Sequence, residues 1–197
     1  WKYYSSSNLA RFFNEVWLGF ILIKDFILNN KIDMSEYTKA LSLIEESRYI
    51  LIVTHVNPDP DSIGSALALS NLFHENKIKH KVFNISSDLP QNLDFIPRFD
   101  KITDQLPAFF DLIITVDCGT YKRLGFEPEP SIPLINFDHH KSNNGFGTVN
   151  IVDSMKSSTA ELVFEFFKHN GLYITKNSAI ALYVGIYDDT LAFSLGR

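Results

Sequence analysis

The chain has 197 residues, of which 45% are hydrophobic and 21% are charged, and its formal net charge is −5. This composition predicts one folded domain of ordinary size and excludes a largely disordered chain. The acidic balance argues against a broad basic surface for long duplex nucleic acid, although bound divalent cations can reverse the sign locally. A single cysteine, Cys118, excludes an intrachain disulfide framework, and we interpret it as a packing residue.

The first 33 residues are apolar and aromatic, and they carry no motif. Lys24 and Asp25 interrupt their apolar run, so it fits neither a secretory signal nor a membrane span. We therefore expect residues 1–33 to be a helical extension upstream of the true start, and the protein to be cytoplasmic with no membrane association. An amphipathic helix is predicted from Met34, which makes residues 34–197 the main domain.

The stretch 50–75 organises the rest of the chain. Its apolar run Ile50–Thr54 predicts a buried strand, and a helical pattern follows from Ser62. His55, Asp59 and Asp61 lie between the two, at the position where open α/β sheets bind ligands. Two interpretations are open at this point: a metal site, or a turn in which an aspartate caps the helix.

Further apolar runs at 79–85, 111–116 and 132–137 predict strands, and helical patterns follow at 157–171 and 177–190. Ser158 and Glu161 mark the start of the first of these helices, and Asn170-Gly171 marks its end. Alternating strands and helices predict an α/β fold with a mostly parallel sheet and helices on both faces.

Three of the predicted strands end in acidic residues or histidines. The second such end is Asp117, and the third is Asp138-His139-His140. A parallel sheet brings these ends to one edge, where so many like charges would be unfavourable without a counter-ion. Carboxylate and imidazole groups without thiolates favour Mn²⁺ or Mg²⁺, with Zn²⁺ or Co²⁺ as weaker alternatives.

Four segments together resemble the motifs of the DHH phosphoesterase superfamily, in the same order. These segments are THVNPDPDSIGSALAL, VDCG, FDHH and GIYDDT. Within the superfamily the arrangement is most similar to the bacterial nano-RNase and pAp-phosphatase group, the bifunctional oligoribonucleases. The resemblance covers about residues 34–193. The fourth motif departs from the usual Thr-Asp-Thr-Gly, because Asp188 is an unexpected second acid.

The resemblance implies a site for two Mn²⁺ ions, with Mg²⁺ or Co²⁺ as alternatives. It implies that Asp117 bridges the ions, that Asp138 orients His139, and that His140 faces the substrate phosphate. Arg123 and Lys141 are candidate phosphate contacts, although a single basic residue is more often part of the solvated surface. The implied metal ligands are His55, Asp59, Asp61, Asp117, His139 and Asp189.

The same resemblance implies a phosphoesterase that acts on short RNA and on 3′-phosphoadenosine-5′-phosphate through a metal-activated water. The direction of attack, 3′–5′ or 5′–3′, stays open, and a homodimer is one possible state. Family members carry a second domain, DHHA1, that grips the nucleotide, and nothing in this sequence corresponds to it, so we expect weak activity. The alternatives are a cyclic-dinucleotide phosphodiesterase, a RecJ-like exonuclease, or a non-catalytic phosphate-binding remnant.

Overall fold

The computed structural model describes residues 34–86 and 88–194. The extension predicted at 1–33 lies outside the described residues. The described residues form four α-helices: α1 (Met34–Glu46), α2 (Pro60–Glu75), α3 (Thr159–His169) and α4 (Lys176–Asp189). The strands are β1 (Ile50–Thr54), β2 (His80–Phe83), β3 (Ile102–Thr103), β4 (Leu112–Val116), β5 (Leu134–Asp138) and β6 (Val149–Val152).

The six strands form one parallel sheet in the order β3-β2-β1-β4-β5-β6. The chain builds outward from β1 to β3, returns to place β4 on the free side of β1, and then builds outward to β6. Strand order therefore reverses between β1 and β4. In open α/β sheets the crevice beyond the carboxyl ends of two such strands is the usual ligand site.

Every residue of β1, β4 and β5 is buried, because both faces of the sheet are covered. On one face Phe137 packs edge-on against Phe166 of α3, with ring centroids 5.4 Å apart. The α-helices lie on this side, where α2, α3 and α4 contact one another and α1 contacts α3. On the other face a 3-10 helix, Tyr121–Leu124, and loop segments cover the sheet through Leu124 and Cys118.

The predicted α/β class with a parallel sheet is confirmed. The predicted cover on both faces is made by α-helices on one side and by the 3-10 helix with loops on the other. Strand β1 has the predicted bounds, and Ser158 caps α3 by accepting from the Glu161 amide at 3.1 Å. The two edge strands β3 and β6 were not predicted. Among the helices of the described residues, none combines the length and apolarity needed to cross a membrane.

Candidate metal centre

His55 and Asp59 lie in the turn between β1 and α2. Asp59 caps α2 with one oxygen, because its Oδ1 accepts from the Ser62 amide at 2.9 Å. Its other oxygen, Oδ2, lies 3.4 Å from His55 Nε2. The capping and metal interpretations of Asp59 are therefore compatible, since each uses a different carboxylate oxygen.

Asp61 is fully buried in the first turn of α2 and points at the N-terminus of α3. Its Oδ2 accepts from the Thr159 amide at 2.7 Å, and its Oδ1 accepts from the Ala160 amide at 2.9 Å. These are amides that a helix leaves without intrahelical partners. Oδ2 also lies 3.9 Å from His139 Nε2, so Asp61 reaches the site while it holds α3 in place.

Asp117 follows β4 and turns into the site through a backbone with φ of 57°. Its two oxygens point to two different neighbours. Oδ2 lies 3.4 Å from His55 Nε2, and Oδ1 lies 3.7 Å from His139 Nε2. Oδ1 also accepts a hydrogen bond from the Thr159 hydroxyl at 3.0 Å. Asp117 therefore stands between the two halves of the site, as a bridging carboxylate would.

His139 and Asp189 complete the second half. His139 Nε2 lies 3.0 Å from Asp189 Oδ2 at the end of α4, and His139 Nδ1 lies 3.4 Å from the Lys156 carbonyl. Asp188, the neighbouring acid, lines a groove along α4. The geometry therefore places Asp189 with His139 and Asp61, as the family resemblance implied, and leaves Asp188 outside that group.

Asp138 does not contact the residue that we expected it to orient. Its Oδ1 accepts from His140 Nδ1 at 2.7 Å, and its Oδ2 accepts from the Asn143 amide at 2.6 Å. The expectation that Asp138 orients His139 is therefore wrong: Asp138 fixes His140. The reason is that His140 folds back toward β5, whereas His139 points toward α4. His140 Nδ1 also lies 3.4 Å from Asp117 Oδ1.

The two basic candidates differ in position. The exposed residue Arg123 sends its guanidinium to within 2.9 Å of His55 Nδ1, and its carbonyl accepts from the Val56 amide at 2.9 Å. Lys141 is exposed next to His140. Arg123 is therefore placed beside the His55 half of the site, whereas Lys141 has no ion pair with a site carboxylate among the described residues.

Without a bound cation, the carboxylates of the site repel one another and attract the protons of the imidazoles. Burial raises the pKa of Asp61 well above its usual range, and repulsion from Asp117 and Asp189 raises it further. Burial lowers the pKa of His55, but Asp117 and Asp59 outweigh it and raise that pKa to about 9. His139 also has a pKa raised to about 9, since Asp189 and the other carboxylates outweigh its burial. The imidazoles thus carry the positive charge that the carboxylates require.

The residues present fit divalent cations. His55 Nε2 is buried without a hydrogen-bond partner in the described part of the chain, although two carboxylate oxygens lie 3.4 Å from it. A neutral imidazole nitrogen and two carboxylate oxygens would be three acceptors around one point, which a cation satisfies. Close donor groups form three sets: His55 with Asp59 and Asp117; Asp61 with His139 and Asp189; and Asp117 with His139 and His140.

Three groups that make hydrogen bonds to site residues were not predicted from the sequence. Thr159 donates to Asp117, the Lys156 carbonyl faces His139 Nδ1, and Asn143 holds Asp138. Thr159 lies 42 residues from Asp117 in the chain, so no local pattern connects them. The position of Asn143 in a short polar loop after the FDHH segment was the only sequence feature that could have indicated its role.

Comparisons with known proteins show the family of this chain. Residues 49–186 match the family described as the DHH family, N-terminal domain. Over 163 residues the chain is 28% identical to the bifunctional oligoribonuclease and PAP phosphatase NrnA of Bacillus subtilis, covering 81% of this chain and 50% of that protein. Over 144 residues it is 33% identical to the Thermus thermophilus protein of that name, covering 72% and 43% respectively.

This chain is also similar to a solved structure. An exopolyphosphatase-related protein from Bacteroides fragilis matches with a TM-score of 0.75 and 27% identity, covering 84% of this chain and 53% of that one. The chain spans about half the length of the curated relatives that it matches.

Proposed function

This chain belongs to the DHH family, and we propose that it hydrolyses phosphoesters with two divalent cations, Mn²⁺ in preference to Mg²⁺ or Co²⁺. The observation that carries the proposal is that the two carboxylate oxygens of Asp117 face different histidines: Oδ2 faces His55, and Oδ1 faces His139. One carboxylate shared between two ligand sets is the arrangement expected for two cations close together. The preference for Mn²⁺ follows from the mixed carboxylate and imidazole groups, with no thiolate among them.

Two sets of residues would bind the two cations. His55 and Asp59 would bind one cation, and Asp61, His139 and Asp189 would bind the other. Asp117 would bind both. Two cations so held would lower the pKa of a water molecule and stabilise charge on phosphoryl oxygens.

His140 would face the phosphate. Its side chain is 41% exposed, and Asp138 raises its pKa by accepting from Nδ1, so its outer edge can donate an N–H to a phosphoryl oxygen. Asn143 donates to the other oxygen of Asp138 and thereby restrains the pair. Arg123, placed at His55, is the proposed second phosphate contact, and Lys141 is the outer one.

The proposed substrates are short oligoribonucleotides and 3′-phosphoadenosine-5′-phosphate. Support comes from the relatives named as oligoribonucleases and PAP phosphatases, although the chain spans only about half of their length. A short anionic substrate also suits the acidic composition better than a long duplex does.

The test combines metal content with turnover. The purified chain should bind about two Mn²⁺ per molecule and release phosphate from phosphoadenosine phosphate, or slowly cleave bis-p-nitrophenyl phosphate. Asp117→Asn keeps the size of the side chain, so it should lose metal and turnover while its circular dichroism spectrum is unchanged. Two bound cations with no hydrolysis of any of these esters would instead favour a non-catalytic phosphate-binding role.

A further inference from the structure

A groove of about 580 Å³ runs along α4 beside the metal centre. One wall is α4 itself, and another is the 3-10 helix Gln91–Leu93 with the loop that follows it. Its volume is within the range of small-molecule sites in proteins, and its lining is mostly apolar. The residues that matter here are Pro60, Asn92, Phe95, Tyr183, Tyr187 and Asp188.

Aromatic rings are exposed in this groove although they are costly to leave in water. Tyr183 and Tyr187 lie one helical turn apart, 56% and 46% exposed, with ring centroids 5.6 Å apart. Phe95 is 62% exposed on the loop wall. Phe193 packs beside both tyrosines, at 6.2 Å from Tyr183 and 6.0 Å from Tyr187. Tyr183, Tyr187 and Phe193 thus form a partly exposed aromatic cluster, with Phe95 on the opposite wall.

Two residues that line the groove are chain neighbours of proposed metal ligands. Pro60, on its wall, stands in the chain between Asp59 and Asp61, and Asp188 stands next to Asp189. Asp189 and Asp59 both act electrostatically on Asp188, so this end of the groove lies close to the proposed metal ligands. Tyr187 and Tyr183 follow Asp188 along the groove wall formed by α4. The groove also carries polar groups, the Asn92 amide and the Asp188 carboxylate, which can pair with the edge of a planar heterocycle.

We propose that this groove is a nucleobase-binding subsite. In it, the base of the nucleotide that carries the reacting phosphate stacks on Tyr183 and Tyr187. This role in substrate selection rests on the proposed function. Stacking on aromatic rings is tolerant of sequence because every base has a π-face. The subsite therefore selects nucleotides over other phosphoesters without selecting one base over another.

Binding of the base alone is measured first, with no metal and no phosphate. Adenosine is titrated against the full chain in EDTA and followed by NMR, with ribose as the base-free comparison. Adenosine should bind and ribose should not. Tyr187→Ala should weaken adenosine binding about 10-fold, which is the scale of one stacking contact. Tyr187→Phe should keep the affinity, whereas Tyr187→Leu should lose it, because it is apolar without a π-face.

The matched control is Tyr173→Ala. Tyr173 is 82% exposed and lies outside the groove, so its removal should leave adenosine binding unchanged. An equal loss from Tyr173→Ala, full affinity in Tyr187→Leu, or no adenosine binding would each overturn the subsite. A groove that is instead covered by a second copy would give a dimer that Tyr187→Ala dissociates and no adenosine binding.

Turnover separates the subsite from the metal centre. Tyr187→Ala should raise the KM for phosphoadenosine phosphate about 10-fold and leave kcat nearly unchanged, with no effect on ribose 3,5-bisphosphate. Asp117→Asn should abolish turnover of both compounds and leave adenosine binding intact. A chain that binds adenosine but hydrolyses nothing would refute the proposed function alone, and one that hydrolyses both compounds without binding adenosine would refute the subsite alone.

Discussion

Gly185 of α4 lies directly against Asp61 of α2, so that a Cβ added to Gly185 would stand 2.7 Å from Asp61 Oδ1. The same Cβ would stand 2.7 Å from the Cβ of Ala160 on α3. Gly64 makes the reciprocal approach, since its Cβ would meet the Ala181 carbonyl at 2.6 Å. The two glycines let the helices meet backbone to backbone, and the carboxylate of Asp61 fills the space that a side chain at 185 would take.

Gly185→Ala should therefore destabilise the fold although alanine is the better helix former. Helix propensity alone predicts a gain of about 1 kcal/mol in the free energy of unfolding. Overpacking against Asp61 and Ala160 costs about 1–3 kcal/mol and should outweigh that gain. Urea unfolding measures the difference, and Asn177→Ala on the exposed side of α4 is the control, expected within about 0.5 kcal/mol. A more stable Gly185→Ala protein would contradict the close contact.

The two acids at the end of α4 should differ in metal binding. Asp189 Oδ2 lies 3.0 Å from His139 Nε2, whereas Asp188 lines the groove. Asp189→Asn should therefore reduce bound Mn²⁺ from about two per molecule to about one and remove most of the turnover. Asp188→Asn should keep its metal. Isothermal titration with Mn²⁺ measures both variants, and equal losses would mean that Asp188 shares the ligand role.

The strands that place the site could be predicted because their sequences are continuous apolar runs. Ile50–Thr54, Leu112–Val116 and Leu134–Asp138 are buried on both faces and are recognised without tertiary information. The edge strands could not be predicted in the same way. Ile102–Thr103 has two residues, and Val149–Val152 includes a polar asparagine, so neither gives a clear pattern.

The grouping of site residues followed from the parallel sheet, but their individual contacts did not. Asp61 binds amides that lie 98 and 99 residues further along the chain. The preference of Asp138 for His140 over His139 depends on how two adjacent imidazoles are oriented, packed edge to face with ring centroids 4.7 Å apart. Side-chain directions of this kind are set by packing, which the order of residues in a motif does not specify.

A buried ion-pair network beside the site should contribute to stability and not to metal binding. The Lys156 side chain is 8% exposed and pairs with Glu165, and it lies 3.5 Å from Glu161. Tyr37 of α1 donates to Glu165 at 3.1 Å. Lys156→Met should lower the free energy of unfolding by about 3 kcal/mol, because it leaves the largely buried carboxylate of Glu165 without a cation.

The conservative comparison is Tyr37→Phe, which removes one hydrogen bond and should cost about 1 kcal/mol. Both variants should keep the Mn²⁺ affinity of the unmodified chain, because His139 faces only the backbone carbonyl of residue 156. Urea unfolding and a Mn²⁺ titration measure the two properties. A large loss of metal affinity in Lys156→Met would show that the network also positions His139.

Removal of the metal should make stability fall as pH rises. The pKa of His55 and that of His139 are each raised to about 9 in the folded chain, against 6.5 for an ordinary imidazole. A raised pKa stabilises the fold fully below pH 6.5, and this contribution is lost as pH rises through 9. In EDTA the melting temperature should therefore decline between these values. Saturating Mn²⁺ should remove the decline, because cations replace the protons.

His55→Asn should make the EDTA profile flatter, and His74→Asn, at an exposed position, should leave it unchanged. A melting temperature in EDTA that is constant or rises from pH 6.5 to 9 would contradict the charge balance of the site.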